Sequence, residues 1–521
     1  MSIFRYTASA DTTITNAFKA DLTLRGTGSN MGYADSVEIF SIAGQLSSST
    51  AGSSQELSRT LIKFPVANIT ANRTAGIIPA SGNVSFFLRM HNAQTPWTLP
   101  QDFTLNVLPV TTQWQEGSGL DMDNYNDLGK ANWMSASTST GWTSVGGDYN
   151  TAPPGNMYTV TFPLGWEDIE LDISGLVEQW IAGSGAGGID NFGVGIHLTS
   201  SQEAYFSGSG DADSGSLINN LTGAAQSYYT KKFFARSTEF FFKRPTIEAR
   251  WDSTVQDQRG QFYFSSSTAP ATDNLNTIYL YNYVRGRLVN LPGIATTGNA
   301  SNLTCSFYSS SATGAPTGSA IRLPLGGGVT TALSTNATCS YVSTGIYSCS
   351  VSLTAGVTPF EGISDVWRRS DNVEFLTGSL YPSYMPVYGS APTFNYTTNV
   401  RNLRSSYSIK ETARFRTFVR NKYWNPTIYV KATANNPTEI INSASYSIYR
   451  VVDDMTVVAF GTGSNDNNCT YLSYDVSGNY FDLDISLLER GYMYGVKLAY
   501  YNDSIGSWIE QPETFKFRVE E

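Results

Sequence analysis

The sequence has few of the residues on which most nucleophilic and metal sites depend. Its 521 residues include only two histidines and four cysteines. His91 and His197 have no supporting motif, which disfavours a Ser-His-Asp triad or a His-ligated zinc centre. The cysteines lack the paired spacing of a zinc site or a disulfide framework. We expect buried free thiols, but a pair between Cys339 and Cys349, which flank a turn-like segment at 343–345, stays open.

Charged residues are also sparse. They make up 15% of the chain, and 43 acidic residues outnumber 33 basic ones, for a formal net charge of -10. A nucleic-acid partner is not expected, because neutralising phosphates requires a basic face. The polar positions are filled instead by Ser, Thr, Asn and Gly, a mixture typical of short strands joined by turns.

Long apolar runs are absent as well. No run is long enough to span a bilayer, and the first residues lack the apolar core and cleavage pattern of a signal peptide. We therefore expect no membrane insertion, and synthesis in a cytoplasm without a signal peptide.

The chain does contain many short apolar or alternating segments bounded by Gly, Asn or Pro, which predict an all-β fold. Its length predicts about three domains. We place them at residues 1–253, a jelly-roll-like β-sandwich, and at 254–392 and 393–521, two immunoglobulin-like β-sandwiches. Periodicity predicts one helix, Ser174 to Ala182, with Asp172 or Ser174 as its cap.

One segment, residues 114–149, combines tryptophans with Asp, Asn and Gly and has no helical period. Exposed aromatic rings can stack on sugars, so a glycan-binding surface is one interpretation. Burial of the same rings in the core is the other. The candidate glycan-binding residues are Trp114, Trp133, Trp142 and Tyr149.

The same segment is rich in carboxylates. Asp121, Asp123 and Asp127 have a spacing that could supply oxygen ligands to Ca²⁺, although the glycine and terminal glutamate of an EF-hand loop are missing. A carboxylate pair could also hydrolyse a glycosidic bond, with Glu116 and Asp148 as further candidates. Solvated turn carboxylates are the favoured interpretation. No cofactor is expected, and structural Ca²⁺ stays open.

The segment 399–422 is locally basic. In an alternating strand Arg414, Arg416 and Arg420 share one face. A subunit interface with an acidic neighbouring surface is favoured over nucleic acid, and a solvated strand without a partner stays open. The candidate interface residues are Arg401, Arg404, Arg414, Arg416 and Arg420.

Arginine-carboxylate pairs inside the first domain form a further prediction. Arg59, Arg236 and Arg244 are expected to pair with Glu239 or Glu248. Such a clamp would hold strands in register rather than catalyse a reaction.

Several motifs in the first half of the chain occur in an order that resembles a DNRLRE domain. The resemblance covers about half of the chain. The motifs are SRTLIKF (58–64), WQEG (114–117), NW (132–133), GGDY (146–149), LDISGLVEQWIAG (171–183), NFGVGIHL (191–198), FFARSTE (233–239) and RPTIEARW (244–251).

This resemblance implies a carbohydrate-binding-module-like β-sandwich, of a family found in cell-surface proteins, polysaccharide-binding enzymes and virions of tailed bacteriophages. The segment 231–251 looks most like the phage branch. The implied function is a non-enzymatic structural component of a tailed-phage virion, in the tail, the neck or on the capsid exterior. Its partners would be other virion proteins and further copies of itself. The alternative is an adhesin that binds host-surface polysaccharide, and a weaker alternative is a glycan-degrading enzyme.

Overall fold

The structure is a computed structural model. It describes residues 2–45, 53–95, 99–123, 129–151, 157–207, 215–296, 299–311, 314–325, 333–354, 362–385, 395–425, 427–428, 438–463 and 467–521.

The all-β prediction is confirmed. Strands account for 45% of the residues and helices for 7%, and the sheets are sandwich-like. The chain has two compact units, residues 2–252 with 463–469, and residues 253–462 with 470–521. The further division near residue 393 stays a prediction. Neither α-helix in the described ranges has the length and apolar character needed to cross a membrane.

The described residues of the first unit form thirteen strands. They are β1 (Ile3–Thr7), β2 (Ala10–Thr15), β3 (Ser36–Gln45), β4 (Ser53–Lys63), β5 (Ser85–Met90), β6 (Phe103–Pro109), β7 (Ser135–Ser137), β8 (Thr140–Gly141), β9 (Tyr158–Phe162), β10 (Ile169–Asp172), β11 (Val194–Leu198), β12 (Tyr228–Phe234) and β13 (Thr246–Arg250).

Two antiparallel sheets organise this unit. The four-stranded sheet has the order β1-β13-β5-β10, and the seven-stranded sheet has the order β12-β3-β4-β11-β6-β9 with β2 also paired to β4. Most strands match predicted ones because their apolar residues alternate, as in β6, where Phe103, Leu105 and Val107 are buried. The sequence patterns missed β1, β7, β8, β10 and β12.

Two α-helices accompany these sheets in the part of the unit that the structure describes. α1 (Val66–Thr74) was not predicted, whereas α2 (Ser174–Ala182) has the predicted bounds. Leu176, Val177 and Trp180 form the buried face of α2. The predicted capping of α2 is wrong, because neither α-helix has a side-chain cap. Asp172 accepts a hydrogen bond only from Ser174, the first residue of α2. Short 3-10 turns lie at Ser184–Ala186 and Phe241–Lys243.

The second unit contains the remaining strands. They are β14 (Tyr263–Phe264), β15 (Asn276–Tyr281), β16 (Tyr283–Val284), β17 (Arg287–Leu288), β18 (Asn299–Ser310), β19 (Pro316–Thr317), β20 (Leu323–Pro324), β21 (Leu333–Ser334), β22 (Ala337–Ser343), β23 (Ile346–Val351), β24 (Ile363–Arg369), β25 (Glu374–Leu380), β26 (Ser383–Tyr384), β27 (Tyr396–Val400), β28 (Ser406–Ser408), β29 (Thr412–Asn421), β30 (Ala444–Arg450), β31 (Met455–Val458), β32 (Ser473–Asp475), β33 (Gly478–Asp484), β34 (Met493–Asn502), β35 (Ser507–Glu510) and β36 (Phe515–Glu520). Short 3-10 turns lie at Gln258–Gly260 and Ile485–Leu487.

Three larger sheets organise this unit. Their orders are β15-β23-β22-β18-β24-β25 with β19 beside β18, β27-β29-β33-β32, and β28-β36-β34-β30-β31 with β35 beside β34. The predicted turn at 343–345 is confirmed, since β22 and β23 form an antiparallel hairpin. Gly345 in this turn has a φ of +72°, a conformation that favours glycine.

Candidate functional site

The four aromatic residues predicted as a glycan platform lie in or beside the core of the first unit. Trp114, Trp133 and Trp142 are 3%, 0% and 8% exposed. Their indole Nε1 atoms donate to the backbone oxygens of Phe192, Ser216 and Asn132 at 2.7, 2.7 and 2.8 Å. Tyr149 packs against the same core and donates to Gly146 O at 2.7 Å. The rings therefore offer no open face to a sugar, which favours the core interpretation.

Two glycines of the quoted motifs make this packing possible. An added Cβ at Gly146 would lie 2.8 Å from the Trp133 ring, and one at Gly195 would overlap the Tyr149 ring. The motifs GGDY and NFGVGIHL are thus explained by close packing against two aromatic side chains.

A buried ion pair lies beside these rings. Arg59 donates to both carboxylate oxygens of Glu203 at 3.0 and 2.8 Å, and its guanidinium carbon lies 5.6 Å from the centre of the Trp133 ring. Burial, followed by the charge of Arg59, lowers the pKa of neighbouring His197 to about 4. His197 is therefore a neutral packed side chain at pH 7. The predicted pairing of Arg59 with Glu239 or Glu248 is therefore wrong. Its partner Glu203 lies 144 residues away in sequence, beyond the reach of a local pattern.

The candidate catalytic carboxylates also have structural contacts. Glu116 accepts from Arg236 at 2.8 and 2.6 Å and from the Asp11 N–H at 2.7 Å. Arg236 therefore pairs with Glu116 rather than with Glu239 or Glu248. Arg244, also predicted to pair with them, donates instead to the backbone oxygen of Thr238 at 3.1 Å.

Asp148 is held in a turn. It accepts hydrogen bonds from Thr112 Oγ1 and from the N–H groups of Thr143 and Ser144 at 2.8 to 3.0 Å. Burial opposes ionisation, but these donors together keep the pKa of Asp148 below its usual value. The ionised carboxylate stabilises the loop.

The candidate calcium ligands are not gathered around a site. Asp121 Oδ1 accepts from the Asp123 N–H at 2.9 Å, and Asp123 Oδ1 accepts from the Ala20 N–H at 2.8 Å. Asp127 lies outside the described residues. Within the described ranges, no group of three or more His, Cys, Asp or Glu side chains is arranged to hold a metal ion.

The predicted basic strand is β29, and it alternates as expected. Arg414 and Arg416 form two-pronged ion pairs with Asp482 and Asp475, at 2.7 to 2.9 Å. Arg420 lies on the same face, opposite Thr397.

The two remaining candidate interface arginines have contacts nearby. Arg404 pairs with Glu411 at 2.7 Å. Arg401 lies over the Phe418 ring at 4.2 Å. Much of the basic charge is thus neutralised within the chain, and a subunit interface stays a prediction.

A cleft in the first unit was not predicted. Its volume is about 520 Å³, and its lining combines an exposed indole with amide, carboxylate and ammonium groups. The residues are Asn92, Gln94, Thr95, Leu99, Trp166, Glu167, Asp168 and Lys243.

Trp166 is the most prominent apolar group of the cleft, with 61% of its surface exposed. It lies in the turn between β9 and β10, directly after Gly165. Gly165 has a φ of +87°, and an added Cβ there would overlap the backbone oxygen of Pro100. This close approach places the following indole at the surface.

Buried Lys231 holds the same turn through hydrogen bonds to its backbone. Its Nζ donates to Glu167 O at 2.6 Å, to Gly165 O at 3.2 Å and to Asn92 Oδ1 at 2.8 Å. Burial lowers the pKa of Lys231 to about 8, so most molecules remain protonated at pH 7. The Phe162 ring lies 4.5 Å from Nζ and stabilises the charge. The cleft is therefore built on a rigid support.

Two charged groups at the rim are positioned by neighbours. Asp168 accepts from the Asn92 N–H at 2.7 Å, and its other oxygen lies 2.9 Å from His91 Nδ1. Lys243 Nζ lies 4.7 Å from the centre of the Phe234 ring and 5.4 Å from that of Phe240. These contacts restrict the rotamers of both side chains, so a ligand would meet groups already in position.

The sequence contains a weak signal for the Trp166 cleft. The segment Leu164-Gly-Trp-Glu-Asp168 places a tryptophan between a glycine and two acids, next to a strand end. Sequence alone could not join it to residues 92–95 and 243, because these come from separate connections.

No protein-family model matches the chain, and the search of curated proteins also finds no match. The DNRLRE resemblance therefore rests on the order of the quoted motifs.

Proposed function

We propose that the first unit is a non-enzymatic carbohydrate-binding module that holds a polysaccharide in the Trp166 cleft. The observation that carries the proposal is the exposed indole of Trp166 beside preorganised polar groups. The flat ring can stack against the C–H face of a pyranose, while Asn92, Gln94 and Asp168 exchange hydrogen bonds with its hydroxyls.

The position of the site favours binding over turnover. Trp166 lies in a turn fixed by Lys231 and Gly165, so little conformational freedom is lost when a sugar binds. The carboxylates considered for hydrolysis, Glu116 and Asp148, are occupied by Arg236 and by backbone donors. This pattern supports retention of a glycan at the surface of a β-sandwich.

Binding can be tested with polysaccharide prepared from the surfaces of bacterial strains. Trp166→Ala should weaken retention at least tenfold, because stacking is lost, while the melting temperature stays unchanged since the ring is largely exposed. Tyr33→Ala is the matched control: Tyr33 is 54% exposed in the same unit and does not line the cleft. Unchanged retention by Trp166→Ala would refute the site.

We further propose that the whole chain is a structural component of a tailed-phage particle, located on the tail, the neck or the capsid exterior. The ordered motifs of the first half support this proposal, as does the succession of β sheets stabilised by internal ion pairs. Rigid β units suit a role in which one surface contacts a ring of neighbouring subunits.

The location can be tested by immunogold electron microscopy of particles from a producing lysate, with antibody against residues 393–521. Label at one fixed position on every particle is expected. Label confined to cells or debris would refute the particle role and leave glycan binding as the function of the chain.

A further inference from the structure

Three of the four cysteines lie together in the core of the second unit. Cys305, Cys339 and Cys349 are on β18, β22 and β23, and each is at most 1% exposed. The thiols of Cys305 and Cys339 lie close enough to Cys349 to lower its pKa. All three belong to one apolar cluster, and all are free thiols.

The strand register distinguishes the two neighbours of Cys349. Ser340 pairs with Ser348 and Tyr341 with Tyr347 in the antiparallel hairpin. Continuing this register by one residue places Cys339 directly opposite Cys349. Directly opposed residues have Cα atoms about 4.5 to 5.5 Å apart, which is within the range that a disulfide requires.

Cys305 is placed differently. It lies on β18, beyond β22, where it pairs with Ala337. Its backbone is therefore at least two strand spacings from Cys349, no less than about 9 to 10 Å, which exceeds the Cα separation of a disulfide. Cys305 therefore cannot be bridged to Cys349 without moving a strand.

We propose that Cys339 and Cys349 form a latent cross-strand disulfide, which closes when the chain meets a peroxide oxidant. Cys349 attacks the peroxide O–O bond, one oxygen leaves as water, and Cys349 becomes a sulfenic acid. The Cys339 sulfur then attacks the Cys349 sulfur, the S–O bond breaks, and the second oxygen leaves as water. Two thiols and one hydrogen peroxide thus give one disulfide and two waters.

The environment favours Cys349 as the first sulfur to react. The two thiol donors lower the pKa of Cys349, whereas burial raises the pKa of Cys305 and of Cys339. The thiolate is the reactive form. Hydrogen peroxide is small enough to reach a buried thiol during local opening of the hairpin. Larger oxidants are not small enough to do so.

The experiment treats the full chain with hydrogen peroxide, alkylates the remaining thiols and measures intact mass. We expect two alkylated cysteines and a loss of two hydrogens. Chymotryptic cleavage after Tyr341 and Tyr347 separates the two cysteines, so their peptides should remain joined until a reductant is added. The closed hairpin should melt about 5 °C higher, because the unfolded chain is constrained.

Cysteine variants provide the controls. Cys339→Ser and Cys349→Ser should abolish the linkage, while Cys305→Ser and Cys469→Ser should retain it. Four alkylated cysteines after oxidation of the unaltered chain would overturn the proposal. A linked peptide that contains Cys305 or Cys469 would overturn it too, and neither result depends on a variant that folds.

Discussion

At the residue scale, burial decides the role of a tryptophan. Trp133 and Trp166 both belong to the first unit, yet the first is 0% and the second 61% exposed. Trp133 fills the core and satisfies its indole N–H with a backbone oxygen. Trp166 follows a glycine turn and is left at the surface, where it can bind a ligand.

Replacing Trp133 should therefore affect stability rather than recognition. Trp133→Ala removes a fully buried indole and should lower the free energy of unfolding by about 3 to 5 kcal/mol. Urea unfolding followed by circular dichroism measures this loss, and Trp166→Ala serves as the exposed counterpart. A Trp133→Ala protein as stable as the parent would contradict the core assignment.

Asp11 is a buried acid with incomplete hydrogen bonding. It is 1% exposed, its Oδ2 accepts from the Arg236 N–H at 2.6 Å, and its Oδ1 has no hydrogen-bond partner among the described residues. Burial, reinforced by the charge of Glu116 and opposed by Arg236, raises the pKa of Asp11 to about 7. Ionisation of Asp11 therefore destabilises the folded chain.

The sign of the pH dependence follows from this shift. Below about pH 4 Asp11 is protonated in both the folded and the unfolded chain. As the pH rises from 4 toward 7, Asp11 ionises in the unfolded chain but not in the folded one, so the free energy of unfolding falls. Asp11→Asn keeps the acceptor for Arg236 and removes the charge. Its stability advantage over the parent should be about 2 kcal/mol larger at pH 8 than at pH 5. Thermal unfolding at both pH values tests this, and an equal difference at both would contradict it.

At the element scale, one carboxylate joins three adjacent strands. Glu248 on β13 accepts from Arg5 on β1 at 2.6 Å, from Arg89 on β5 at 3.0 Å and from Arg250 at 2.7 Å. Although burial acts in the opposite direction, the three guanidinium groups lower the pKa of Glu248. The predicted clamp at Glu248 is present, but its arginines are these three rather than Arg59, Arg236 or Arg244.

Removing this carboxylate leaves three guanidinium groups without their shared counter-charge. Glu248→Gln should lower the free energy of unfolding by about 3 to 5 kcal/mol near neutral pH. The matched control is Glu170→Gln, because Glu170 pairs with Arg250 but is 48% exposed at its side chain, so its loss should cost at most about 1 kcal/mol. If both variants lost the same free energy of unfolding in urea, the burial of Glu248 would not explain its contribution.

The depressed pKa gives this clamp a pH dependence of opposite sign to that of Asp11. Its stabilisation is present above the ordinary pKa of a glutamate and is lost as the pH falls toward the lowered value. The difference between Glu248→Gln and the parent should accordingly shrink in acid.

At the scale of the whole molecule, a distant part of the chain completes the first unit. Residues 463–469 belong to the first unit, whereas the residues before and after them in sequence, 253–462 and 470–521, belong to the second. Asn467 Nδ2 donates to Ser85 Oγ at 2.7 Å and to the backbone oxygen of Arg250 at 3.4 Å. The compact unit is therefore discontinuous in sequence.

This contact can be tested with two neighbouring asparagines. Asn467 and Asn468 both have a left-handed backbone, with φ of 50° and 51°, so alanine strains either position equally. Asn467→Ala should be less stable than Asn468→Ala by about 1 kcal/mol, because only the former removes these hydrogen bonds. Thermal unfolding of the two full-length variants compares them directly, and equal melting temperatures would contradict the contribution.

Local patterns determined much of the secondary structure. Alternation identified β6 and most other core strands, apolar spacing identified α2, and the Ser-Thr-Gly turn identified the β22–β23 hairpin. The helix α1 was missed because Val66–Thr74 is rich in residues of modest helix propensity, such as Asn and Thr, and packs only Val66 and Ile69 into the core. These successes and failures depend on neighbours along the chain.

Tertiary structure alone decided the partners and the sites. The carboxylates that Arg59 and Arg236 bind are 144 and 120 residues away, and Arg5 and Glu248 are 243 residues apart. Lys231 likewise reaches the backbone oxygens of Gly165 and Glu167 only because β12 and the turn after β9 fold together. Composition and periodicity determine which strands form, whereas burial and long-range pairing determine which tryptophan is exposed, which acid is ionised and which cysteines face each other.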